Sequence, residues 1–422
     1  MLNSYLSNRD LERLLFVMSE AIDIGTDNLA RHQIRTAYIA WEISKELKLD
    51  KRDINEIVIS ALFHDIGAIS EDYRLLSTLN ESDNDYIHCV KGEIILNDFS
   101  QIIKGAKYVR YHHTDYEKLK KICEKKFHLG SQILFLSDYI DRNSRQFNEE
   151  CVLEMSSKIY PVIIDLLASG KVMKEVSDAF EQISMKEEFW LNLNSYSIIM
   201  TLFDEDDMFG LKNKIQFSSI LDFIVTIVDM KSYYTVAHST GVAIASKNIG
   251  GLLGLQSNDI DWLYLAGYLH DIGKIAVPKK ILDKKGKLTK EEYMIIKRHP
   301  YYSYRILSSI ELFKPFSTAA FHHENSKGSG YPFKLSGKLL GKRERIVGAG
   351  DLFTALYEDR PYRERMKESE IQHIIDERMI AGLLDKKIGK VIKNYYGEVA
   401  KLIKEKQDEM QEIYYNKFSN LL

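Results

Sequence analysis

Twelve histidines are spread over 422 residues, and ten of them fall into two matched sets. The first set is His32, His64, His88 and the adjacent pair His112 and His113, followed by Asp138 in "FLSDYIDR". The second is His238, His270, His299 and the pair His322 and His323, followed by Asp351 in "GAGDLFTALYEDR". In each set the second histidine follows the first by 32 residues and is joined to an aspartate: Asp65 in "LFHDIGAIS" and Asp271 in "YLHDIGKIAVP". Only His128 and His373 stand outside this scheme. Imidazole and carboxylate together suit iron, manganese or zinc. The three cysteines, Cys89, Cys123 and Cys151, show no CxxC spacing. That argues against a disulfide framework or a thiolate zinc site and fits a reducing compartment.

Neighbouring residues on a helix point about 100° apart. His270 and Asp271 can therefore reach one centre only where a helix ends, and Gly273 reads as the residue that ends it. The Asp271 carboxylate can then bridge two ions, with His322 and His323 completing the set. Two ions about 3.5–4 Å apart clamp a phosphoryl group for in-line attack.

Helices must position these groups. Segments such as "IVISALFHDIG", "SSILDFIVTIVDM" and "IDWLYLAGYLHDIG" carry apolar residues at helical spacing, and there are only six prolines. No stretch alternates for a strand over more than a few residues, so the expected fold is all-α. The repeated histidine pattern is a tandem duplication of a whole domain. The first domain is expected over 1–200, the acidic stretch "FDEDDMFG" marks a linker at 201–214, and the second domain is expected over 215–422. A formal net charge of −3 excludes a general nucleic-acid polymer binder, so any nucleotide site is local. No apolar run reaches the roughly 20 residues of a membrane span, and the N-terminus lacks a signal-peptide pattern, so a cytoplasmic protein is expected.

Residues 215–400 resemble an HD-GYP domain, a branch of the HD phosphohydrolase superfamily. The motifs carrying the resemblance are "AHSTGVAIA", "LHDIGKIAVPKKILDKKGKLTKEEYMIIKRHP", "HHENSKGSGYP" and "ERIVGAGDLFTALYEDRPYRER". The resemblance implies an all-α, metal-dependent enzyme that hydrolyses 3′–5′ phosphodiester bonds of a cyclic dinucleotide, cyclic di-GMP or cyclic GMP-AMP, in second-messenger signalling. It implies metal ligands at His238, His270, Asp271, His299, His322, His323 and Asp351, holding two divalent ions, iron or manganese. Members with three metals add a glutamate four residues before the first histidine; here that position is Tyr234. Lys274 would contact the scissile phosphate and, with Asp271, carry the chemistry. Gly330, Tyr331 and Pro332 of the signature loop, together with Arg360 and Arg363, would hold the nucleotide. Two positions depart from the family: Ser326-Lys327 stands where Trp-Asp is common, and Thr354 where Asp is common.

The first half resembles a plain HD domain. It keeps a second candidate set, His32, His64, Asp65, His88, His112, His113 and Asp138, but has Ala68 in place of the lysine and no GYP loop. A regulatory or structural role is expected for it. A catalytically silent nucleotide receptor and another HD phosphohydrolase acting on nucleotides stay open at this point, as do the oligomeric state and signalling partners.

Overall fold

The computed structural model describes residues 7–25, 31–70, 85–145, 154–195, 216–231, 238–335, 337, 339–358 and 364–418. Among these there is no β-strand; the regular elements are α- and 3₁₀-helices joined by turns, as expected. It divides into two compact units, Met1–Ile220 and Leu221–Leu422. The expected linker at 201–214 lies outside the described residues, as do Tyr234, Arg360 and Arg363.

Both units are built from the same succession of elements. In the second, the helix His238–Leu252 packs against Ser257–Leu269 and Lys342–Tyr357, while His299–Ser308 packs against the 3₁₀ segments Ile272–Ala276 and Lys314–His323. In the first, the helix His32–Glu46 packs against Lys51–Leu62 and His128–Ser144, and Asp85–Asp98 packs against Ile66–Ser70 and Ala106–Arg110. The central helix of each unit is buried on nearly every side: Ile34, Ala37, Tyr38, Ile39, Ala40 and Ile43 in one, Val242, Ala243, Ala245 and Ile249 in the other are at most 1% exposed. Burying one such aliphatic side chain contributes roughly 1.5–3 kcal/mol. Side-chain caps fix several helix starts. Asp50 accepts from Asp53 N, Asp115 from Lys118 N, and Thr289 with Glu292 forms a capping box; each cap is worth about 1 kcal/mol.

The helix Ser257–Leu269 does end at the His-Asp pair: His270 is its C-cap and Asp271 begins the 3₁₀ turn. Gly273 does not end it, because it lies inside that turn and has no positive φ. Its role is close approach. A Cβ on Gly273 would stand 2.0 Å from the carbonyl oxygen of His299 and 2.5 Å from Ser303 N. Gly67 has the same relation to the carbonyl of His88, also at 2.0 Å. The absent side chain therefore lets the turn carrying Asp271 lie directly on the first turn of the helix carrying His299. Gly273→Ala is expected to lower stability by about 1–3 kcal/mol or more, since backbone has to move. Thermal unfolding of the full chain checks this; an unchanged Tm would show that the turn is not so tightly seated.

Candidate metal centres

In the second unit, six histidine and aspartate side chains from five elements meet around Asp271. Its Oδ2 lies 3.0 Å from His270 Nε2 and 3.6 Å from His238 Nε2, and Asp351 Oδ1 stands 3.2 Å from His238 Nε2. Its Oδ1 faces the opposite pair, 3.1 Å from His299 Nε2 and 3.6 Å from His322 Nε2. Each carboxylate oxygen thus has two imidazoles of its own. His323 lies next to this second pair, with its ring 4.2 Å from that of His322 and 5.1 Å from that of His299.

The backbone decides which ring nitrogen faces inward. Nδ1 of His270, His299 and His322 donates to the carbonyl three residues earlier, at Gly267, Ile296 and Ala319 respectively (2.7, 2.7 and 3.1 Å). That leaves each Nε2 as a lone pair directed at the centre. His238 follows the same logic through a side chain: its Nδ1 lies 2.9 Å from Glu358 Oε2. Burial together with the neighbouring His323 holds His322 well below the usual imidazole range, and burial with His299 nearby brings His323 down to about 3. Burial alone would raise the Asp271 carboxyl, but His270 and Lys274 outweigh it and hold the group well below the carboxylate range. Asp351 is lowered likewise: burial would raise it, but the contact with His238 and the charges of the neighbouring histidines together outweigh burial. Neutral imidazoles and charged carboxylates are the states that bind a cation. His270 Nε2 and Asp271 Oδ1 are buried and form no hydrogen bond of good geometry, as metal-directed atoms should. The donor set fits two divalent ions that share Asp271.

Lys274 reaches the same carboxylate, with Nζ 2.5 Å from Asp271 Oδ2. Its side chain is 14% exposed. The signature loop follows the histidine pair and is organised by a residue not singled out from sequence. Glu324, 8% exposed, accepts from the backbone N–H of Phe333, Lys334 and Leu335 at 2.7–3.1 Å. Gly328 takes φ +70, and a Cβ on Gly330 would stand 2.5 Å from Glu324 Cα; both loop glycines are needed, for different reasons. The Tyr331–Pro332 peptide is cis. The Tyr331 ring lies 4.7 Å from that of His323, and Lys297 Nζ sits 4.6 Å from the centroid of the Tyr331 ring. A cavity of about 380 Å³ opens here, lined by His322, His323, Asp351 and Tyr331, with Arg345 and Arg378 on its wall. Arg345 is tied to Asp385 at 3.1 Å, which in turn caps the helix Lys386–Asn394. Thr354 is fully buried against Gly241, and the exposed Lys327 begins the loop with its N–H on Asn325 Oδ1.

The first unit repeats the arrangement. Asp65 Oδ2 lies 3.4 Å from both His32 Nε2 and His64 Nε2, while Oδ1 lies 3.5 and 3.6 Å from His88 Nε2 and His112 Nε2. Asp138 Oδ1 is 3.1 Å from His32 Nε2, and His113 approaches Asp138 at 3.7 Å. His64 and His112 again use Nδ1 on the carbonyls of Ala61 and Val109. His32 Nδ1 lies 2.6 Å from Asp141, which Arg35 and Arg145 also hold. All the predicted ligands in both units are therefore brought together. The sequence reading missed Asp141, Glu358, Glu324 and Cys89. Asp141 and Glu358 lie three and seven residues past the metal-facing aspartate, one helical face, so a second acidic residue on that face was the available signal.

A family model described as HD domain matches residues 29–143, and a second model with the same description matches 223–388. Each unit is an HD domain, and the chain belongs to the HD phosphohydrolase superfamily, its second unit to the HD-GYP branch. The chain is 29% identical over 403 residues to 3′3′-cGAMP-specific phosphodiesterase 1 of Vibrio cholerae, covering 91% of each protein. It is 26% identical over 433 residues to 3′3′-cGAMP-specific phosphodiesterase 3 of that organism, covering 87% of this chain and 91% of the relative. The crystal structure of a cyclic GMP-AMP specific phosphodiesterase from V. cholerae matches with a TM-score of 0.63 at 22% identity, over 92% of this chain and 97% of that one. This last likeness speaks for the fold. No helix among the described residues is long and apolar enough to cross a membrane.

Glu358 meets His238 at Nδ1, the nitrogen opposite the metal-facing Nε2, and so orients the ring. Glu358→Ala is expected to weaken metal retention by the second unit about 10–100-fold, measured by competition with a chelator. Unchanged retention would remove Glu358 from the site.

Proposed function

We propose that the second unit hydrolyses a 3′–5′ phosphodiester bond of a cyclic dinucleotide, with 3′3′-cGAMP as the preferred substrate. The observation that carries this reading is the division of the Asp271 carboxylate between two imidazole pairs, with Lys274 on one of its oxygens. The substrate class is supported by the names of the relatives that match about nine-tenths of both chains. Donors made only of imidazole and carboxylate favour iron or manganese in this unit.

His238, His270, Asp351 and one oxygen of Asp271 would hold one ion; His299, His322, His323 and the other oxygen would hold the second. Such a pair supplies Lewis acidity and an activated water for in-line displacement at phosphorus. The chain's own residues do the rest. Asp271 sets the separation of the two positions. The Lys274 ammonium neutralises charge developing on the phosphate oxygens and can give a proton to the departing ribose oxygen. Water adds to phosphorus, one ester bond breaks, and a linear dinucleotide results. Tyr331, held by Gly330 and Pro332 at the cavity wall, offers a face to a base; Arg360 and Arg363 are assigned to phosphate and base contacts. Arginine suits both tasks. A cavity of about 380 Å³ is within the range of small-ligand sites.

The first unit is proposed to hold metal without hydrolysing the dinucleotide, as a regulatory or structural domain. Ala68 stands where Lys274 does, so no cation comes from that turn to meet the phosphate.

Protein loaded with iron or manganese should linearise 3′3′-cGAMP. Lys274→Ala should keep its metals and lose about 10²–10³ in kcat. Tight dinucleotide binding without turnover in the metal-loaded wild type would contradict the enzyme reading and leave a receptor. His64→Ala in the full chain should lower the melting temperature or alter regulation, with kcat largely kept. Complete loss of turnover with the fold intact would place catalysis in the first unit as well.

A further inference from the structure

The second metal position of the first unit differs from its counterpart by one atom type. Where the second unit has His299-Pro300, the first has His88-Cys89. Proline at that point offers no donor; Cys89 offers sulfur and is fully buried. A buried cysteine acting as a small hydrophobe packs among apolar side chains. This one stands against imidazole nitrogens, its Sγ 3.5 Å from His88 Nε2 and 3.6 Å from His112 Nδ1.

The spacing is that of a coordination shell. Donors bound tetrahedrally at about 2.0–2.3 Å lie about 3.3–3.7 Å from one another. His88 Nε2 and His112 Nε2 are 3.3 Å apart and lie 3.5 and 3.6 Å from Asp65 Oδ1. These three atoms make one triangular face of such a shell. Cys89 Sγ lies at the same spacing from His88 Nε2, 3.5 Å, reaches His112 on its Nδ1 side, and groups with His88, His112 and His113 as atoms able to share an ion. The absence of CxxC spacing, which argued against thiolate ligation from sequence, does not apply here, because the partners are histidines brought in by other elements.

We infer that Cys89 is a metal ligand in the first unit and that this position takes zinc. The inference rests on the reading that the first unit holds metal. A thiolate shifts the preference toward softer ions, and thiolate together with imidazole is a zinc set. One chain then carries two centres of different metal preference: nitrogen and oxygen donors in the second unit, nitrogen, oxygen and sulfur in the first.

The test uses the full chain prepared with zinc, iron and manganese all available, and a cobalt-substituted sample of the same protein. Cys89→Ser is expected to lose one zinc per chain and leave iron and manganese content unchanged. Cobalt-substituted wild type should show a thiolate-to-cobalt charge-transfer band that Cys89→Ser lacks and both Cys123→Ser and Cys151→Ser retain. No such band in the wild type, or its persistence in Cys89→Ser, overturns the inference without depending on how the variant folds. Asp65→Asn separates this failure from that of the underlying reading. If Asp65→Asn loses metal while Cys89→Ser keeps all of it, the first unit binds metal without sulfur and only the present inference falls. If neither variant changes metal content, both fall.

Discussion

A carboxylate that is buried, charged and divided between two pairs of imidazoles governs this structure. An ionised aspartate removed from water is unfavourable by several kcal/mol unless it is fully compensated. At Asp271 the chain's own compensation is the Lys274 ammonium, while four Nε2 lone pairs frame the places where cations would supply the rest, and the shape of each element follows from delivering these groups. A helix must stop at His270 so that adjacent residues can diverge. The following turn must rest on the helix that begins at His299, which only glycine at 273 permits. Two further helices must bring His238 and Asp351 together. Such a cluster of neutral bases around charged carboxylates is complete only with cations in it.

The two units apply this plan with different supports. In the first, the imidazole that opens the central helix is oriented by Asp141, which is clamped by Arg35 and Arg145. In the second, Glu358 does the same work and is steadied by Gln407 from the C-terminal helix Tyr396–Phe418. The metal-facing atoms superimpose in role while their second partners have been exchanged. What separates the units chemically is confined to a few side chains: Lys274 against Ala68, the Glu324-anchored loop against none, and Pro300 against Cys89.

The all-helical fold and the ligand sets were legible because a metal site needs particular donor atoms, and a duplicated spacing of histidines has few other causes. The supporting residues were not, because orientation can come from Asp141 at one offset or Glu358 at another, and backbone carbonyls leave no trace in sequence at all. Gly273 was assigned a helix-ending role on its residue type; the cause is steric and lies in a helix that begins 26 residues later at His299. Glu324 was hidden for a similar reason, since its three partners are backbone N–H groups of the loop. Thr354, a departure from the family pattern, is accounted for by packing: it is fully buried against Gly241.

The central claim is that one carboxylate holds two ions. Metal counting on full-length Asp271→Asn against wild type, with unfolding monitored in parallel, tests it most directly. A shared bridge predicts the loss of two ions per chain together, with the first unit's metal retained and the fold preserved. Loss of a single ion, or retention of both, would show that Asp271 does not bridge and would contradict the geometry on which the proposed chemistry rests.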